Sequence, residues 1–130
     1  MSGQTNLPTV LKSMQISCDN IEYGFAKIDG MDVPRDEAVL GTFKEKEGLT
    51  IIATKEYLQE NNIQSEGSYA KLTVEVHTSL ELVGLTAVLA TKLAENQISA
   101  NVVAAYFHDH IFVQFGFRQK AIAVLESLKI

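Results

Sequence analysis

Gly84 stands where one residue pattern gives way to another. Before it, Leu72, Val74 and Val76 alternate with Lys71, Thr73, Glu75 and His77; after it, Leu85, Val88, Leu89 and Leu93 recur at helical spacing. A glycine inside a helix costs about 1 kcal/mol relative to alanine, and the residues that follow are good helix formers. Gly84 therefore marks a point where the backbone must turn or where something approaches it closely. That something is either a neighbouring strand packed tightly or a ligand. A turn opening onto a helix N-terminus offers backbone N–H groups and the positive end of the helix dipole to a small anion, such as an amino-acid carboxylate. Thr78 and Ser79 lie shortly ahead, where their hydroxyls could bond such a ligand or cap the helix. The chemistry indicated is recognition of a small molecule, which the residues do not name.

Other reactive residue types point to less. His108-Asp109-His110, with His77, invites a metal site, but structural zinc wants four ligands and only two of the three clustered side chains can share a strand face. A polar hairpin tip accounts for them without a metal. Cys18 is the sole cysteine, so no intrachain disulfide can form, and no adjacent histidine or basic cluster lowers its pKa. Gly24, Gly30, Gly41, Gly48, Gly67 and Gly84 are scattered and form no phosphate-cradling loop. Neither catalysis nor a cofactor or metal is expected.

The chain has 130 residues, 46% hydrophobic and 21% charged, in keeping with a soluble globular protein. Its formal net charge of -5 argues against nucleic acid as a partner. No apolar run approaches the roughly 18 residues of a membrane span. The opening MSGQTNLPTV lacks the basic-then-apolar layout of a secretion signal, so a cytoplasmic protein is expected.

The elements can be read along the chain. Asn6-Leu7-Pro8 starts a short helix running to about Met14. Tyr23 to Ile28 reads as a strand, and Asp29 to Pro34 as a loop. Ala38 to Phe43 and Leu49 to Thr54 form a hairpin, with Gly48 ending its turn. Thr54 can cap a helix over Lys55 to Asn62. In the second half, a strand around Leu72 to Val76 leads through Gly84 into a helix, with Asn96 as its C-cap. Ile98 to Phe107 and Ile111 to Phe115 give a second hairpin, and Ala121, Ile122, Val124, Leu125 and Leu128 line a last helix. Met14-Gln15-Ile16-Ser17 echoes Asn96-Gln97-Ile98-Ser99, and each half ends in a hairpin and a helix. The expected division is an irregular half over 1–66 and a regular half over 67–130.

These residues resemble the ACT domain, a small regulatory module of amino-acid metabolism. Gly84-Leu85-Thr86-Ala87 fits its glycine turn, Ile98-Ser99-Ala100-Asn101-Val102-Val103 its second strand, and Phe112-Val113 with Ala121 to Leu128 its closing strand and helix. A nearer resemblance is to short free-standing tandem ACT-like proteins without an assigned activity. It rests on Phe-Lys-Glu-Lys-Glu-Gly-Leu-Thr at 43–50, Val-His-Thr-Ser-Leu-Glu-Leu-Val-Gly-Leu-Thr-Ala at 76–87 and Asn-Val-Val-Ala-Ala-Tyr-Phe-His-Asp-His at 101–110. The resemblance implies an α+β, ferredoxin-like antiparallel sheet with helices on one face, in two ACT-like (βαββα) halves. It also implies a homodimer and a non-catalytic regulatory protein that binds an amino acid or similar carboxylate, with no nucleic acid or membrane involved. In that picture the N–H groups of Gly84 and Leu85 hold the carboxylate, Asn101 faces the ligand from the second strand, and Glu47 supplies a counter-charge to an amino group. The competing function is a structural module that oligomerises through its sheet without a ligand; Val103 or Phe112 on an uncovered face would favour it. Only Lys129 and Ile130 follow Leu128, too few for the last strand of the ferredoxin pattern. A strand from within 38–54 is expected to complete or cover the sheet.

Overall fold

The computed structural model describes residues 7–76 and 84–129. The chain forms two compact units, Asn20–Ala70 and a second made of Met1–Asp19 with Lys71–Ile130.

In the first unit, β2 (Tyr23–Ile28) pairs antiparallel with β4 (Gly48–Thr54), and β4 pairs antiparallel with β3 (Val39–Glu45). The first residues of β5 (Ser65–Glu75) line the other side of β2, giving the order β3-β4-β2-β5. The β3–β4 turn is closed by Glu45 opposite Gly48, and Gly48 takes φ +153°, a backbone that side-chain-bearing residues rarely adopt. Thr54 caps α2 (Lys55–Glu60), its hydroxyl oxygen accepting from the Tyr57 N–H at 3.1 Å. Asn61 and Asn62 end that helix, Asn62 at φ +56°. Leu49, Ile51, Ala53 and Leu58 are fully buried, with Ala26, Ile28, Val39, Tyr57 and Ile63 packed around them. Alternate residues of β4 thus supply the core, as the period-two pattern requires.

The second unit has α1 (Leu7–Ser13), β1 (Gln15–Cys18), the end of β5, α3 (Leu85–Glu95), β6 (Asn101–Ala104), β7 (Asp109–Gln114), a 3₁₀ turn (Phe115–Phe117) and α4 (Arg118–Glu126). Its strand order is β1-β5-β7-β6. Leu72 and Val74 of β5, Ile111 and Val113 of β7, Leu85, Leu89 and Leu93 of α3, and Ala121 and Leu125 of α4 are buried. The fourth helix packs against α3, β1 and β7. Arg118 starts it by donating to the Phe115 carbonyl at 2.8 Å while its guanidinium lies 3.9 Å from the Phe115 ring centre. In the first unit the first strand, β2, lies between the third and the fourth; in the second the same ferredoxin-like order holds when counted from β5, with β1 taking the place of the fourth strand.

Several expectations need correction. The strand that completes the second unit is β1, paired in register from Gln15–Glu75 to Cys18–Leu72, and not a strand within 38–54. Residues 38–54 are engaged with each other and with β2. The β5 strand begins at Ser65, well before Leu72. Its first residues include Gly67 at φ +69° and lack clean alternation, so pairing with β2 makes this stretch a strand. The sixth strand spans only Asn101–Ala104, while Ile98 is buried outside it and Gln97 sits at φ +62°. On α4 only Ala121 and Leu125 are buried; Ile122, Val124 and Leu128 are half-buried.

Candidate functional site

The helix α3 runs eleven residues, and among the described residues no side chain caps its N-terminus. Gly84 is the N-cap, at φ +101° and ψ -9°. Among the described residues a Cβ at this position would meet only Leu7 Cδ2, at an ordinary 3.9 Å. Crowding does not call for glycine here; the left-handed backbone does. The Gly84 carbonyl accepts the first helical hydrogen bond, from the Val88 N–H at 2.9 Å. The first-turn N–H groups precede that bond, and the first turn holds no acidic residue to engage them. Such a terminus can accept a carboxylate. Leu85 itself is buried and offers only its N–H, its side chain belonging to the core.

Asn101 opens β6 opposite Phe112 of β7, is exposed, and is the polar side chain of that strand. Glu47 is exposed in the β3–β4 turn of the other compact unit. Thr78 and Ser79 lie outside the described residues, as does His77.

The three polar residues of β5 in the second unit form a row. Lys71 pairs with Asp19 at 3.3 Å, Thr73 Oγ1 shares a hydrogen bond with His110 Nδ1 at 3.1 Å, and His108 Nε2 lies 3.6 Å from a Glu75 oxygen. The histidines therefore belong to a polar row across the sheet, and the hairpin tip expected to hold them is occupied by Tyr106 and Phe107. Burial, with Lys71 and His108 adding to it, lowers the pKa of His110 below its ordinary 6.5, while Asp109 pulls the other way. Among the described residues no group of histidine, cysteine and carboxylate side chains is arranged to hold a metal ion. Thr73 and Glu75 were not singled out by residue type; the alternation that puts them on the polar face of β5 was the available signal.

Val103 is 38% exposed whereas Phe112 is 1% exposed, so one of the two residues named for an uncovered face is open and the other is covered.

No curated protein is similar enough to this chain to match it. Among solved structures, a protein of unknown function from Vibrio cholerae, described as a possible transport protein, is 38% identical, with 95% of this chain and 96% of that one covered and a TM-score of 0.84. A protein from Agrobacterium tumefaciens is 16% identical over 89% of each chain, with a TM-score of 0.76. The ligand-free regulatory subunit of aspartate kinase from Thermus thermophilus is 9% identical, covers 90% of this chain and 99% of its own, and has a TM-score of 0.61. The last two likenesses concern the fold alone. ACT-domain models match residues 2–70 and residues 64–127, so that both ends of the chain carry the pattern of these regulatory, small-molecule-binding modules. With the ferredoxin-like strand order found in each unit, this makes the chain a member of the ACT-domain family.

Proposed function

We propose that this protein is a non-catalytic, cytoplasmic sensor that binds a free amino acid or a similar small carboxylate and works as a homodimer. The observation that carries the reading is Gly84, a left-handed N-cap that brings no capping side chain of its own to the start of α3. The ligand carboxylate accepts from the N–H groups of Gly84 and Leu85 and is favoured by the helix dipole. Asn101 bonds the ligand from β6, and Thr78 and Ser79 contribute hydroxyls. The ACT-like halves 1–66 and 67–130 are the two copies of the module, a reading supported by family matches over 2–70 and 64–127.

A thermal-shift screen of the twenty amino acids, common nucleotides and metabolites tests this. A ligand at about 100 times its dissociation constant stabilises the fold by ~2.7 kcal/mol. Gly84→Leu should abolish the shift with the protein still folded. If no small molecule shifts the melting temperature while a protein partner does, the function is that of an interaction module. The exposure of Val103 is the observation that favours that second reading.

A further inference from the structure

The turn that joins β6 to β7 carries side chains its own fold does not use. The Ala105 N–H donates to the His108 carbonyl at 3.1 Å and closes a tight turn with Tyr106 and Phe107 at its centre. Asn-Gly would serve best there, yet neither residue has a positive φ, so the backbone makes no special demand that aromatic residues answer. The two rings are 79% and 82% exposed and contact each other edge to face, with centres 4.9 Å apart. No charged residue occurs from Asn96 to Phe107, so the rings end a stretch of chain that is neutral as well as apolar. Exposed aromatic pairs of this kind mark places where another surface is covered.

The same unit holds a surface that suits them. A groove of about 340 Å³ runs along α3, lined by Ala87, Val88, Thr91, Lys92, Glu95 and Leu128. Ala87, Thr91 and Glu95 recur one helical turn apart, and the small side chains of Ala87 and Thr91 leave the groove open. Val88 and Leu128 are half-buried and supply its apolar surface. Its two charges, Lys92 and Glu95, pair with each other at 3.9 Å. An apolar cavity of ~150 Å³ takes one benzene ring, so this groove has room for two. The rings of the turn stand in water, which means that the groove of their own chain does not hold them.

We propose that the Tyr106–Phe107 turn of one copy of this chain seats in the α3 groove of a second copy, which returns the contact with its own turn. The proposal rests on the homodimer reading above and names a contact surface for it. An apolar projection and an apolar recess that match it, carried by one chain, bring copies of that chain together. Buried area decides that the contact is reciprocal. Aromatic side chains cover about 150–250 Å² each, so seating both rings of one turn removes roughly 600–800 Å² from water, counting turn and groove. A stable interface needs at least about 1,000 Å², more than one such contact supplies and less than two do. Two reciprocal contacts place a two-fold axis between the copies and leave neither turn uncovered. For a chain of net charge -5, a turn without charge and a groove with paired charges are where two copies meet with least repulsion.

The chain has no tryptophan, so Phe107→Trp creates a single fluorescent reporter of the turn. At micromolar concentration its emission should be blue-shifted, as for an indole in an apolar site, and should move to the water-exposed wavelength on dilution. The mass from light scattering should fall in step, from twice the 14.3 kDa chain mass to that mass. Thr91→Arg, at an exposed position of α3, fills the groove with a charged side chain. Added to Phe107→Trp, it should give water-exposed emission and the mass of one chain at every concentration, with the circular dichroism spectrum unchanged. Phe43→Lys, at an exposed position of the other unit, should alter neither readout. Tyr106→Ser with Phe107→Ser should give the mass of one chain, and this arm decides the matter if Phe107→Trp does not fold. A wild-type chain that stays monomeric overturns both the homodimer reading and this contact. A doubled mass with water-exposed emission, or one indifferent to Thr91→Arg or to the double serine variant, overturns the contact alone.

Discussion

Replacing Gly84 by alanine separates two reasons for a glycine that a sequence cannot distinguish. Among the described residues the added Cβ would find Leu7 Cδ2 at 3.9 Å and nothing nearer, so packing against them contributes no penalty. The whole cost is the backbone, because φ +101° brings an L-residue's Cβ too close to the adjoining carbonyl. That cost is roughly 1–2 kcal/mol. For a chain of this size it lowers the melting temperature by about 3–10 °C. Gly84→Asn should recover part of the loss, since asparagine tolerates left-handed backbone better than alanine does. Thermal unfolding followed by circular dichroism, with urea unfolding as a second measure, gives both numbers. An unchanged Gly84→Ala protein would refute the reasoning. So would a loss near 4 kcal/mol that Asn did not relieve, which is the scale of a severe core defect.

Other substitutions should respond to different causes. At Gly24 a Cβ would meet Leu58 Cδ1 at 2.9 Å, Ser65 Oγ at 3.0 Å and Lys55 Cδ at 3.1 Å, so Gly24→Ala should lose about 1–3 kcal/mol by overpacking in urea titrations. Thr54→Ala removes the α2 cap and should cost about 1 kcal/mol, with Thr54→Ser close to wild type. His110 should make the fold sensitive to mild acid. Its pKa is lowered in the folded state, so its contribution is complete above the unfolded value of 6.5 and is lost as the pH falls through the folded value, where Lys71 and His108 disfavour a further positive charge and Asp109 favours one. His110→Gln should flatten stability between about pH 7 and pH 5, relative to wild type measured in parallel.

Residue pattern alone located much of this molecule. Tyr23–Ile28, the hairpin closed by Gly48, the capped helix after Thr54 and the helix from Leu85 to Glu95 all fall where periodicity and cap residues put them. These are local matters: apolar spacing selects the face, a hydroxyl satisfies a first-turn N–H, and a positive φ selects glycine. The same logic marked Gly84 as a turn, although only the coordinates separated a backbone demand from a crowded contact. Glu47 and Asn101 carry no signal beyond residue type and position, and their roles depend on what a ligand brings to them.

Pairing across long sequence separation was beyond that logic. Ser65–Ala70 has weak strand propensity and becomes a strand because β2 supplies its ladder, an interaction no nearby residue announces. Gln15–Cys18 is too short for a convincing period, yet it closes the second unit against Leu72–Glu75, about sixty residues away along the chain. His108 and His110 looked like a loop cluster until Thr73 and Glu75 were set beside them. By itself the sequence determined where the helices and the first hairpin lie, because caps, turns and periodicity act within a few residues. Only the tertiary structure decided which strand completes which sheet, because an open strand edge can satisfy its N–H and C=O groups with any strand the rest of the fold brings alongside it.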